Sequence, residues 1–336
     1  ASNAPDSRLE TIVRAIEAAA DRGVRVRFLA EEKFYRTYPR TLDRLARRSG
    51  IEVRRYDVAA LAGGVLHAKY FIVDTREAFA GSQNFDWRAL THIQELGLRI
   101  RIPGVVRALT DVFETDWALA AGADPGFRAS PPPDGYGFPA VVTQGEDTLR
   151  VTPVFSPTGW LPDEALWDLP RLLEMIDSAR ENVRVQLLSY RTVGRDGTYF
   201  GELESALRRA AARGVRVQLL VADWSKRRGT IEGLQSLQTL PDIEVNLVTI
   251  PEWSGGFVPY ARVIHAKYLV VDARSCWLGT SNWEKDYFHR SRNVGLLVEG
   301  RALARRLDRY FVDNWNGRYA ERVDPGATYE APRIGN

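Results

Sequence analysis

The 336 residues contain one cysteine, Cys276, and one methionine. A lone thiol makes no intramolecular disulfide and no multi-cysteine metal site, and in the apolar run Cys276-Trp277-Leu278 it reads as a core residue. No apolar stretch approaches the ~20 residues of a membrane span, and the first residues do not run from charged to apolar as a leader does. An excess of one charge is also missing. Lysine and arginine number 46 against 43 aspartates and glutamates, a net charge of +3. That is a mild bias toward anionic partners, and it does not choose between nucleic acid and a lipid headgroup. Histidine is scarce too, with four residues in all: His67, His92, His265 and His289.

With 45% hydrophobic residues the chain has material for a large core, and its length suggests two domains. Internal repetition supports two. Leu66-His67-Ala68-Lys69-Tyr70 returns as Ile264-His265-Ala266-Lys267-Tyr268, and Gly81-Ser82-Gln83-Asn84 as Gly279-Thr280-Ser281-Asn282, at one common offset. Upstream, Asp21-Arg22-Gly23-Val24-Arg25-Val26 matches Ala212-Arg213-Gly214-Val215-Arg216-Val217. Each copy reads as an amphipathic helix closed by a left-handed glycine, followed by an alternating strand.

Helices alternating with short apolar strands predict an α/β fold of two similar lobes. Each lobe is a mixed β-sheet flanked by helices, and a pseudo-twofold places one active site between them. The first lobe is expected over residues 1–121, a Gly- and Pro-rich linker over 122–150, and the second lobe over 151–336. A strong strand, Val183 to Tyr190, precedes the repeated helix of the second lobe and has no counterpart in the first. The first lobe is therefore expected to lack its first strand, which implies natural sequence upstream of Ala1. A leader or anchor there would make the protein an exported one, and the cellular location stays open.

On a strand, His67 and Lys69 point to one face, as do His265 and Lys267, so a neutral imidazole and an ammonium meet the same anion. The Gly-Ser/Thr-x-Asn turns bring Asn84 and Asn282 to that point, with glycine clearing the approach. Two such sets around one phosphate suit phosphodiester displacement. One histidine attacks phosphorus, the other protonates the leaving oxygen, and the lysines and asparagines stabilise the non-bridging oxygens. No clustered metal ligands occur, so the chemistry is expected to be metal-independent and without a cofactor. Asp74 and Asp272, at odd spacing from the lysines, are expected to face away and serve the fold. His92 and His289 read as surface or rim residues.

The copies differ at one matched position, where Glu95 corresponds to Asn293. A carboxylate on Nδ1 fixes the imidazole tautomer and stabilises a developing positive charge, which an amide does not. Pairing each residue with the histidine of its own copy makes His67 the nucleophile and His265 the acid.

The paired His-x-Lys-x(4)-Asp-x(6)-Gly-Ser/Thr-x-Asn blocks resemble the phospholipase D superfamily, and the likeness covers both lobes. It implies a two-lobed α/β sandwich and phosphohistidine chemistry. Gly64 to Lys69, Asp86-Trp87-Arg88-Ala89-Leu90-Thr91, Glu95-Leu96-Gly97, Pro259 to His265, and Gly279-Thr280-Ser281-Asn282-Trp283 with Asp286-Tyr287-Phe288 resemble more narrowly the animal lysosomal branch. That branch implies 5′-exonuclease action on single-stranded nucleic acid. The absence of any Asn-x-Ser/Thr sequon departs from those glycoproteins and favours a bacterial relative.

Three functions compete. In a single-strand phosphodiesterase, Trp87, Tyr260, Trp283, Tyr287 and Phe288 would stack bases, with Arg88, Arg262 and Arg290 on the backbone. A phospholipase or transphosphatidylase acting on phospholipid needs an apolar rim, which only Trp253 with Gly255-Gly256-Phe257-Val258 suggests. A phosphate-binding scaffold with a decayed site conflicts with the intact double set. No obligatory protein partner is evident.

Overall fold

The computed structural model describes residues 2–4 and 6–335. In the first lobe, the helix Arg8–Asp21 buries Leu9, Val13 and Ala20 on one face, and Gly23 turns the chain with φ +89°. That positive φ suits glycine because it carries no Cβ. The strands that follow are β1 (Val26–Glu31), β2 (Ile51–Tyr56), β3 (Tyr70–Val73), β4 (Glu77–Gly81), β5 (Ile93–Gln94) and β6 (Gly97–Ile100). β1 and β2 pair in parallel from Val26↔Ile51 to Glu31↔Tyr56, while β3, β4 and β6 form an antiparallel sheet. The helix Pro103–Ala120, with proline in its first turn where no N–H is needed, closes the lobe.

The second lobe is built on β7 (Ala140–Gln144), β8 (Asp147–Ser156), β9 (Asn182–Leu187), β10 (Arg216–Ala222), β11 (Ile243–Val248), β12 (Val263–Ile264), β13 (Lys267–Val271), β14 (Ser275–Gly279), β15 (Asn293–Glu299) and β16 (Ala320–Arg322). Its sheet runs β16-β11-β10-β9-β13-β14-β15-β8-β7. β9 joins the parallel half to the antiparallel half, pairing with β10 on one side and β13 on the other. Among the described residues no strand pairs with both β1 and β3 of the first lobe, so its two halves are separate sheets.

One boundary differs from expectation. Residues 140–150, assigned to the linker, form β7 and the start of β8. Gln144 pairs with Asp147 across a two-residue turn in which Gly145 has φ +62°. A tight hairpin turn of this kind uses the same glycine and polar residues as a linker, so composition did not separate the two.

The lobes are welded at two equivalent places. β5 pairs in parallel with β12, and Leu66 bridges in parallel to Arg292. A single core also runs through both lobes, with Val105, Val106 and Leu109 meeting Tyr268, Val270 and Leu278. Burying such side chains contributes roughly 1.5–3 kcal/mol each, which holds the two halves of the cleft in register. The lone cysteine, Cys276, lies in this core, where burial pushes its thiol up to about 12.

Candidate active site

The two interlobe bridges end on the two repeated histidines. The backbone N–H of His67 donates to the Arg292 carbonyl (2.9 Å), and that of His265 donates to the Gln94 carbonyl (2.9 Å). Arg292 and Gln94 are the residues immediately before Asn293 and Glu95. Each histidine is therefore laid beside the other lobe's Glu/Asn position, and the side-chain pairs cross the boundary. His265 Nδ1 is 2.9 Å from both oxygens of Glu95, and His67 Nδ1 is 3.1 Å from Oδ1 of Asn293.

This corrects the expected pairing of Glu95 with His67 and of Asn293 with His265. Equal sequence spacing in both copies does not distinguish a partner within the lobe from one across the pseudo-twofold. The parallel bridges choose the latter. The assignment of His67 as nucleophile, which rested on a Glu95 contact, loses its basis with it.

Hydroxyl groups of the glycine turns hold both partners. Ser82 Oγ donates to Glu95, and Thr280 Oγ1 donates to Asn293 Oδ1 (2.9 Å). Asn293 Nδ2 donates to the carbonyls of Tyr287 (2.8 Å) and Ser291 (3.2 Å), which fixes the amide so that its oxygen faces His67. The hydrogen of His67 is thereby assigned to Nδ1, and the same follows for His265 against a carboxylate. Both imidazoles keep Nε2 for chemistry. Ser82 and Thr280 stood in the sequence motif, but only the fold shows which side chains their hydroxyls hold.

Lys69 Nζ donates to the His67 carbonyl (2.6 Å) and Lys267 Nζ to the His265 carbonyl (2.5 Å), so each ammonium folds toward its own histidine. Burial lowers Lys267 to about 7, with Glu95 opposing the shift, and lowers Lys69 well below its usual range, aided by the charge of Lys267. Burial also lowers His265 to about 4, helped by Lys267 and opposed by Glu95. His67 lies well below its usual value, through burial first and then Lys69 and Lys267. Burial would raise Glu95, but His265, Lys267 and Ser82 outweigh it and the net shift is down. These shifts favour neutral imidazoles beside an ionised Glu95, and the cationic surroundings favour an anionic ligand.

Asn282 is buried with Oδ1 unpartnered, and Asn84 is exposed. Asp272 faces away as expected, accepting from the backbone N–H groups of Arg180, Glu181 and Asn182 at the start of β9. Asp74 and Asp272 each begin a two-residue turn with positive φ (52° and 53°). His289 packs edge-on against Trp167 and Phe200, away from the motif residues.

The aromatic residues expected to stack bases divide. Trp283 is 1% exposed in the second lobe's core and offers no face to a base, a correction that follows from its backbone bridge to Tyr190. Trp87 is half-buried against the first lobe's core, while Tyr260 is 50% exposed. Of the other stacking candidates, Phe288 is fully buried in the second lobe's core and Tyr287 lies at the site, while Arg292 had no assigned role in the sequence. Tyr287 stands edge-on to His67 with centroids 4.8 Å apart. Arg292, fully buried, pairs with Asp116 Oδ1 (2.8 Å) and donates to the carbonyls of Ser156 and Trp160.

A sequence model of the family described as cardiolipin synthase, phospholipase D-like domain, matches residues 7–117 and 172–315. A 5′-3′ exonuclease PLD3 of Bos taurus is 32% identical over 95% of this chain and 69% of its own length. The virion nicking-joining enzyme of vaccinia virus (strain Copenhagen) is 32% identical over 97% of this chain and 80% of its own. Among solved structures, phosphatidylserine synthase of Haemophilus influenzae has a TM-score of 0.62 at 12% identity. It covers 94% of this chain and 78% of that one, a likeness of fold alone.

Proposed function

The chain belongs to the phospholipase D superfamily, and on that premise we propose that it is a phosphodiesterase working through a phosphohistidine, a 5′-exonuclease on single-stranded nucleic acid. The observation that carries the phosphodiesterase reading is the crossed pair of imidazoles. Both tautomers are fixed with Nε2 free, and one Nδ1 rests on a carboxylate while the other rests on an amide.

A carboxylate stabilises the positive charge that an imidazole gains on forming an N–P bond. By this criterion His265 is the nucleophile and His67 the proton donor. The His265 Nε2 lone pair forms the N–P bond as the P–O bond to the leaving group breaks, and the leaving oxygen takes the proton from His67 Nε2. Water then attacks phosphorus and gives its proton to His67, and the N–P electron pair returns to His265. Lys69, Lys267, Asn84 and Asn282 face the non-bridging oxygens. An incoming phosphodiester anion offsets the lysine charges and so raises the affinity of His67 for its proton.

The relatives named as exonucleases support nucleic acid as the substrate, and the loop that a lipid reading requires exposes the single ring of Trp253 rather than a continuous apolar rim. Val258 is buried, and the Arg333 guanidinium covers the Phe257 ring at 4.0 Å. Repeated shortening from a 5′-hydroxyl end requires every cut to leave a new 5′-hydroxyl. The broken bond is then P–O5′ and the released product a 3′-phosphate. The test is a side-by-side assay of a 5′-hydroxyl single-stranded oligonucleotide and phosphatidylglycerol vesicles. Release of 3′-phosphorylated nucleotides from the 5′ end is expected, and faster turnover of vesicles than of any oligonucleotide would overturn the reading.

A further inference from the structure

The segment Pro251 to Arg262 leads directly into β12 and His265, and it carries a side chain placed at energetic cost. Trp253 is 48% exposed, yet it is held in position. Its ring covers Gly255 so closely that a Cβ there would lie 2.3 Å from it, and its edge meets His92 with centroids 5.2 Å apart. His92 is buried and in turn meets Trp87 edge-on at 5.5 Å. The open indole thus rests on a chain of rings anchored in the first lobe's core. The half of the ring left in solvent is held in a fixed orientation by these contacts and suits a ligand with a flat face.

The neighbouring backbone is strained. Tyr260 and Arg262 have φ of 58° and 55°, a conformation costing bulky residues roughly 1–3 kcal/mol each. The strain leaves Tyr260 half exposed and turns Arg262 back, its Nε donating to the Pro251 carbonyl (2.8 Å) and its N–H to the His92 carbonyl (2.8 Å). Arg262 forms no ion pair among the described residues, so its charge is available to an anion. It lies three residues before His265, roughly 10 Å of extended chain, the reach of a neighbouring nucleotide.

We propose that Trp253, braced by His92, forms with Tyr260 and Arg262 a stacking shelf for a base adjoining the phosphate in the cleft, the arginine taking the next phosphate of the strand. This rests on the single-strand reading above and names its recognition surface. An exposed aromatic beside an unpaired arginine is the sequence-tolerant combination that single strands use, since every base has a π-face.

The experiment compares the wild type with Trp253→Ala and Trp253→Phe on a single-stranded oligonucleotide and on bis(p-nitrophenyl) phosphate, which has no base. Trp253→Ala is expected to lower kcat/KM for the oligonucleotide about tenfold relative to kcat/KM for the small diester, chiefly through KM. Trp253→Phe should restore most of the loss. An oligonucleotide with an abasic residue next to the cleaved phosphate should cost the wild type a similar factor and cost Trp253→Ala little more. An equal loss on both substrates, no change in KM, or an abasic strand cut as well as the intact one would overturn the shelf while leaving the exonuclease reading in place. A wild type that turns over vesicles and no oligonucleotide would remove that reading and the shelf together.

Discussion

Glu95 and His265 meet across the lobe boundary, carboxylate to Nδ1 at 2.9 Å, although the residue lies on the chain segment of the other histidine. The consequence is an asymmetric pair inside a symmetric frame. Rapid-quench trapping with a labelled diester should place the phosphate on His265. His265→Asn should form no phosphoenzyme, and His67→Asn should slow turnover by about 10²–10⁴-fold by removing the proton donor. A label on His67 would reverse the roles.

Glu95→Gln should slow phosphoenzyme formation by on the order of 10² or more, because an amide orients the imidazole without stabilising its charge. Asn293→Ala should cost less, about tenfold, since the His67 tautomer loses an anchor but no charge. Single-turnover rates of the two variants measure the difference, and equal losses would show that the carboxylate acts by orientation alone.

Much of this site was legible before the fold was known because the repeat compares the chain with itself. His67, Lys69, His265 and Lys267 stood out by recurring with their companions, although the strand expected to carry each pair is not formed there: of the four only Lys267 lies in a strand, and the others stand in the segments between strands. The crossing of Glu95 and Asn293 was not legible, since it depends on the parallel bridges β5–β12 and Leu66–Arg292, which equal spacing in both copies leaves undetermined. Trp283 was misread for a related reason. A tryptophan beside a motif looks the same in sequence whether its ring faces the cleft or the core. The β7–β8 hairpin hid in a composition that linkers share.

Asp116→Ala should destabilise the protein by about 3–5 kcal/mol, because it leaves the fully buried Arg292 guanidinium without its anion. Arg292 also accepts the His67 backbone N–H and donates its own to the Val65 carbonyl, so the same variant loosens the segment that carries His67. Urea unfolding measures the first effect. A midpoint close to that of the wild type would show that the pair adds little.

Activity should survive exhaustive treatment with a chelator. Among the described residues no group of three or more His, Cys, Asp or Glu side chains is placed to hold a metal ion. The cleft's positive charge comes from two ammonium groups that would repel a cation. Full loss with EDTA and recovery on adding a divalent ion would contradict this.

The pH profile of kcat/KM should be a bell centred on the acid side of neutrality. Lys267, held at about 7 by burial, must be protonated to stabilise the phosphate, so activity falls as pH rises through that value. His265, held at about 4, must be neutral to attack, so activity also falls as pH drops through that value. His67 must carry a proton at the moment of transfer, and its depressed affinity for one starts the alkaline fall below the pH at which Lys267 deprotonates. The sign of the Glu95 effect gives a second reading of the same curve. Glu95 raises His265, so Glu95→Gln should move the acidic limb to lower pH while lowering the maximum. Glu95 also raises Lys267, so the alkaline limb should move down with it. A profile in which Glu95→Gln leaves both limbs in place would mean that neither limb reports the groups this carboxylate touches.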